Sequence, residues 1–309
     1  MRRFGFIALL LAAFAVQAQE NKSTYAFVER DSALRLDVWR PATPRPDSAC
    51  VVALFGGGFA IGERDNEYQR SVAKVLTERG FTVVSPDYRL GLKDSAMIAK
   101  YGKLSGYQDL FQWCIDIAVE DCAAACAWVV EHAAEIGVSP QRIILTGSSA
   151  GAITVLQLDW CRVNGLQQVS ALPEGWKPAA VVPYSGGIMC KGKPQWKTQP
   201  APTMLMHGTK DKIVNYKKFP PVLCRALYGA DVVAKQMVKA GYPCWIVRFE
   251  GIGHEVASWL PGSVDLFCAF ANQALAGRVS SLDATMTDSK LQPTKWTNMT
   301  VMELYGQGK

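Results

Sequence analysis

The chain has 309 residues, 49% of them hydrophobic and 19% charged, with a formal net charge of +6. That composition supplies ample material for a globular core. The charge is mild and its basic residues are spread rather than blocked, which excludes nucleic acid as the expected partner.

Met1-Arg2-Arg3 precedes an apolar run over 4–16, and Val16-Gln17-Ala18 follows as a small-residue cleavage site. This is the pattern of a signal peptide. The run is shorter than the roughly 20 residues that a spanning helix needs. The expectation is therefore a signal peptide at 1–18 and a single domain at 19–309, secreted or periplasmic, with no stable membrane insertion of the mature chain. An exported compartment permits disulfides. The chain has nine cysteines, an odd number, so bridges within the chain would leave at least one thiol over. Cys122 and Cys126 are one helical turn apart and are read as small buried residues on one helix face. No close Cys-x-x-Cys or His-x-x-x-His pair suggests a metal site.

Residues 25–39 alternate loosely and predict a hairpin turning near Asp31-Ser32, followed by a proline-rich loop. The continuous apolar run 50–55 predicts a strand covered on both faces, ending in Gly56-Gly57-Gly58. A helix is expected over 66–79, a buried strand over 81–85, and a polar, irregular segment over 91–106. A long helix, broken once, is expected over 107–136. Further strands are expected at 143–145, 179–184, 203–206 and 245–249, with helices at 229–240 and 264–275. The tail 279–309 receives no assignment. Short apolar strands alternating with helices imply a parallel sheet with helices on both faces. Ligands of such sheets bind at the carboxyl ends of the strands.

Gly147-Ser148-Ser149-Ala150-Gly151 follows the strand at 143–145. Only one frame fits Gly-x-Ser-x-Gly, so Ser149 is the central serine. A strand reversing sharply into a helix needs glycines beside the turn, and the serine at its apex is exposed. A serine hydroxyl needs a base, and the base needs an orienting acid. The chain has three histidines. His132 lies inside the long helix, and His207 ends a strand upstream of the candidate acid, so both read as structural. His254 follows the last strand between glycine-bearing turns and is the candidate base. Asp211, four residues past a strand end, is the candidate acid. Glu255 is a weaker candidate, since adjacent side chains do not readily meet at Nδ1. Asp87 is read as a loop tie, with Arg89 as a partner. The glycine run 56–58 can offer backbone N–H groups to an oxyanion, and it lacks the Lys-Ser/Thr pair of a phosphate loop.

Together these residues resemble the α/β-hydrolase superfamily, specifically the carboxylesterases and acetyl esterases of the hormone-sensitive-lipase type and related feruloyl esterases. The resemblance runs through Phe55-Gly56-Gly57-Gly58-Phe59, the segment 84–90, the serine turn 147–151, the acid loop 207–214 and the histidine loop 251–255. It implies an α/β-hydrolase fold with a mostly parallel central sheet. It also implies Ser149 as nucleophile, His254 as base, Asp211 as orienting acid, and Gly57, Gly58 and Ala150 as oxyanion donors. No cofactor is implied. Phe55 departs from the pattern, replacing the histidine that usually holds the glycine loop.

The expected activity is an exported serine carboxylic-ester hydrolase acting on short acyl esters, small or carbohydrate-linked, such as acetyl or feruloyl esters of plant polysaccharides. Tyr101, Tyr107, Trp196 and Tyr216 are candidates for a sugar platform. The pocket walls are expected from 91–106 and 212–227. The alternatives are a serine exopeptidase of the same fold and a non-catalytic binding protein.

Overall fold

The computed structural model describes residues 21–101, 106–220 and 225–306. The expected signal peptide lies outside the described residues. So does Cys224; the other eight cysteines are free thiols, seven of them buried, and Cys122 and Cys126 sit together in the core.

The chain enters through an antiparallel hairpin, β1 (Lys22–Glu29) and β2 (Ala33–Trp39). Alternating strands and helices follow: β3 (Cys50–Leu54), α1 (Glu67–Thr77), β4 (Thr82–Pro86), α2 (Ser95–Tyr101), α3 (Tyr107–Glu131), α4 (Ala133–Ile136), β5 (Ile143–Ser148) and α5 (Ala150–Asn164). Beyond these lie β6 (Ala180–Tyr184), β7 (Gly187–Lys191), β8 (Thr203–Gly208), β9 (Lys218–Phe219) and β10 (Arg225–Gly229). The chain closes with α6 (Ala230–Lys239), β11 (Cys244–Phe249), α7 (Val264–Leu275), β12 (Leu282–Met286) and α8 (Val301–Gly306).

Nine strands form one sheet in the order β1-β2-β4-β3-β5-β6-β8-β11-β12. It is antiparallel where β2 meets its neighbours and parallel from β4 to β12. Successive side chains of a strand serve opposite cores. Cys50, Val52 and Leu54 of β3 pack with α3, α5 and α6, whereas Val51 and Ala53 pack with α1 and α7. Two buried faces explain the continuous apolar runs.

Three expectations need correction. The segment 91–106 contains helix α2 rather than irregular chain. A second sheet, β7-β10-β9, was not expected; its strands hold five, five and two residues, and glycines bound β7 and β10 where the letters suggest turns. The tail contributes an edge strand, β12, parallel to β11. Its exposed residues alternate poorly, so its sequence carries little strand signal.

Candidate active site

β5 lies between β3 and β6, with Gly147 opposite Leu54 and Pro183. The chain then turns sharply into α5. A Cβ added at Gly147 would lie 2.4 Å from the carbonyl carbon of Gly151, and one at Gly151 would lie 2.5 Å from the carbonyl oxygens of Leu54 and Phe55. Only glycine lets this turn pass between its neighbours. Ser149 has φ 51° and ψ −114°, a conformation disfavoured for a residue with a Cβ, and its N–H donates to the Tyr184 carbonyl at 3.0 Å. Ala150 begins α5, so its N–H has no intrahelical acceptor.

The structure brings Ser149, His254 and Asp211 together from the ends of β5, β11 and β8. Asp211 is a carboxylate and can only accept, so Nδ1 of His254 carries the proton and donates to Asp211 Oδ2 at 2.8 Å. Nε2 is then free to accept from the Ser149 hydroxyl at 2.8 Å. Asp211 is 2% exposed, and its Oδ1 accepts from the N–H groups of Ile213 and Val214, each at 3.0 Å. Burial pushes its pKa upward, but electrostatic attraction to the His254 and His207 rings and their hydrogen bonds outweigh it. The carboxyl is held well below the usual carboxylate range.

His207 is structural in placement, as expected, but its contact with the acid was not foreseen. It is fully buried, with its ring edge-on to Tyr216. Nε2–H donates to the Val214 carbonyl at 2.9 Å and lies 3.3 Å from Asp211 Oδ2. Nδ1 is buried with no hydrogen-bonding partner among the described residues, which suits an unprotonated nitrogen better than a second N–H. His132 stacks on Trp128 at the break between α3 and α4, away from the site.

The glycine loop follows β3. Gly57 has φ +118°, and a Cβ there would lie 2.0 Å from the Ile61 carbonyl oxygen. That carbonyl belongs to the return of the same loop, where Ala60 and Ile61 N–H both donate to Gly57 O. Gly57 and Gly58 line the same cavity as Ser149. Phe55 holds the loop by packing: its ring stacks on Tyr88 with centroids 4.3 Å apart, and the Tyr88 hydroxyl donates to the Phe55 carbonyl at 2.8 Å. Asp87 does tie its loop, but to Arg64 at 2.8 Å; Arg89 instead pairs with Asp121 at 2.8 Å.

The cavity over Ser149 and His254 has a volume of about 820 Å³, and Ile61, Tyr68, Ala257, Trp296 and Leu304 form its apolar walls. No described residue of 91–106 or 212–227 lines it, contrary to expectation. Nor do Tyr101, Tyr107, Trp196 or Tyr216. Tyr216 is core and Trp196 packs on Tyr242. The tail supplies the wall instead. Glu255 does not compete for His254: its carboxylate accepts from Gly253, Thr294 and Thr297. Among the described residues, no group of His, Cys, Asp and Glu is placed to hold a metal ion, and no helix is long and apolar enough to cross a membrane.

Residues 13–164 match the Carboxylesterase family. The chain is 35% identical over 105 residues to lipase 2 of Moraxella sp., a match covering 34% of this chain and 20% of the relative. It is 31% identical over 129 residues to acetylcholinesterase of Danio rerio, covering 41% of this chain and 19% of the relative. It thus spans about a fifth of the length of these relatives. Esterase 2 of Thermogutta terrifontis, phosphoramylated by tabun, superposes with a TM-score of 0.58 at 21% identity, covering 84% of this chain and 96% of the esterase. Its propionate-bound form gives 0.56 over the same shares, also at 21% identity. The chain has the α/β-hydrolase fold, and its residues 13–164 match the carboxylesterases.

Proposed function

We propose that the chain is a serine carboxylic-ester hydrolase working through an acyl-enzyme. The observation that carries this reading is the hydrogen-bonded line from Ser149 Oγ through His254 to Asp211, beside a glycine loop. Ser149 Oγ attacks the acyl carbon while its proton passes to His254 Nε2. The resulting oxyanion is received by the backbone N–H groups of Gly57, Gly58 and Ala150, each worth roughly 3 kcal/mol of barrier in such sites. The buried Asp211 carboxylate stabilises the imidazolium that forms. Collapse of the tetrahedral adduct breaks the ester C–O bond, and the alkoxide leaves with the His254 proton. Water, deprotonated by His254, then releases the acid and restores Ser149.

The substrates are esters of short or aromatic acids, and export follows from the residue pattern at 1–18. The Thermogutta terrifontis esterase, of similar fold, binds propionate and is phosphoramylated by tabun, which supports an ester-hydrolase reading. The test is a hydrolysis panel of p-nitrophenyl acetate, longer acyl esters, acetylated xylan, methyl ferulate and aminoacyl amides. Ester turnover that vanishes in Ser149→Ala upholds the reading. Turnover unchanged in that variant removes Ser149 as nucleophile, and turnover of the amides alone makes the chain an exopeptidase.

A further inference from the structure

Resting on that hydrolase reading, we infer that the C-terminal segment 288–306 is the specificity wall of the site, and that Trp296, with Ile61 and Leu304, receives the aromatic group of an aryl ester. β12 runs parallel to β11, so the chain leaves it at the sheet edge that carries Ser149 and His254. Leu291 then anchors in the core between sheet and α7. Glu255, next to His254, gathers the residues beyond Leu291. Its Oε1 accepts from the Thr294 N–H at 2.7 Å, the Thr294 hydroxyl at 2.8 Å and the Thr297 hydroxyl at 2.6 Å. Its Oε2 accepts from the Gly253 N–H at 2.9 Å. The approach is so close that a Cβ at Gly253 would lie 2.4 Å from Thr297 Cα. Further on, Thr300 bridges in parallel to Lys212, the neighbour of Asp211. The segment is thereby fastened to the two loops that carry the proposed base and acid.

The fastened segment faces an apolar space. Six large apolar side chains are exposed among the described residues, and two of them, Ile61 at 67% and Trp296 at 36%, line the cavity above Ser149. Scattered exposed apolar side chains need no explanation, but two converging on a nucleophile do. An acetyl group would leave most of about 820 Å³ unfilled, whereas cavities of roughly 300–1,000 Å³ take drug-sized ligands. The indole offers a flat face. A rigid aromatic ring covers it with more contact and less lost rotational freedom than an alkyl chain does.

The test compares kcat/KM for methyl ferulate and 1-naphthyl acetate, whose rings lie on the acyl and alcohol sides, with that for ethyl acetate. In Trp296→Ala at least one aryl ratio should fall about 10-fold, chiefly through KM, and Trp296→Phe should recover most of it. A chain ending at Met286 should show the same loss; if it does not fold, the point variants decide. Ratios within twofold of the unaltered protein for both aryl esters overturn the wall. Binding of both aryl esters to Ser149→Ala, with and without Trp296→Ala, reads the wall without chemistry. Should no ester turn over at all, the hydrolase reading falls, and these binding data still uphold or overturn the wall.

Discussion

Ser149 sits at φ 51° and ψ −114°, a backbone conformation that glycine adopts readily and other residues do not. Two substitutions there separate backbone strain from the loss of the hydroxyl. Ser149→Ala and Ser149→Gly both delete the hydrogen bond to His254 Nε2, so that loss cancels between them. They differ in the Cβ. Keeping it retains a strain of about 1–3 kcal/mol for a non-glycine residue in a sparsely populated region. Removing it frees the unfolded chain and costs the glycine variant about 0.5–1 kcal/mol. The difference favours glycine by about 1 kcal/mol, or roughly 2 °C in Tm for a domain of this size. Urea unfolding of the two variants at one pH, with equal slopes, measures it through the midpoints. An alanine variant as stable as the glycine variant, or more so, would refute strain at the serine turn and leave the tight glycine contacts as the whole reason for its shape.

Gly151→Ala should destabilise by about 1–3 kcal/mol in calorimetry, because the new Cβ meets the carbonyl oxygens of Leu54 and Phe55, which are backbone and cannot swing aside. Ester turnover should fall as well, since those residues lead into the glycine loop. Asp211→Asn should lower kcat on the order of 10⁴-fold, the loss expected when the orienting carboxylate of a triad becomes an amide. The same variant tests linkage. A carboxyl whose folded pKa is depressed stabilises the native state above its unfolded value of about 3.9, and that contribution drains away as pH falls below it. The urea midpoint between pH 5 and 2.5 should therefore fall less steeply in Asp211→Asn than in the unaltered chain; equal slopes would sink the linkage. Phe55→Ala should cost about 3–5 kcal/mol, chiefly through the cavity left at this buried site and in part through the lost stack on Tyr88, against about 1 kcal/mol for Tyr88→Phe, which keeps the stack and loses one hydrogen bond. Glu255→Ala should release the 288–306 segment to limited proteolysis at protease levels that leave the parent intact.

Much of the site could be read from residue order because its parts are local. The serine turn, the acid at a strand end and the glycine-bounded histidine each occupy a few adjacent residues whose chemistry shows in the letters. The alternating apolar runs likewise declare a sheet buried on both faces. Phe55 was visible as a departure, but its role was not, since its stack requires Tyr88 from another strand end.

The sequence by itself determined the strand-and-helix alternation, the fold class, and Ser149, Asp211 and His254 as a set to be brought together. Each of those rests on short-range patterns: periodicity, turn chemistry and the scarcity of histidine. Tertiary structure alone decided the walls around the serine. β12 reaches the site edge only by pairing beside β11, and Trp296 and Ile61 line one cavity from positions more than two hundred residues apart in the chain. Glu255 holds that tail through hydroxyl and amide groups that carry no sequence signal. A pocket assembled from distant segments is set by packing, and packing leaves no local period to read.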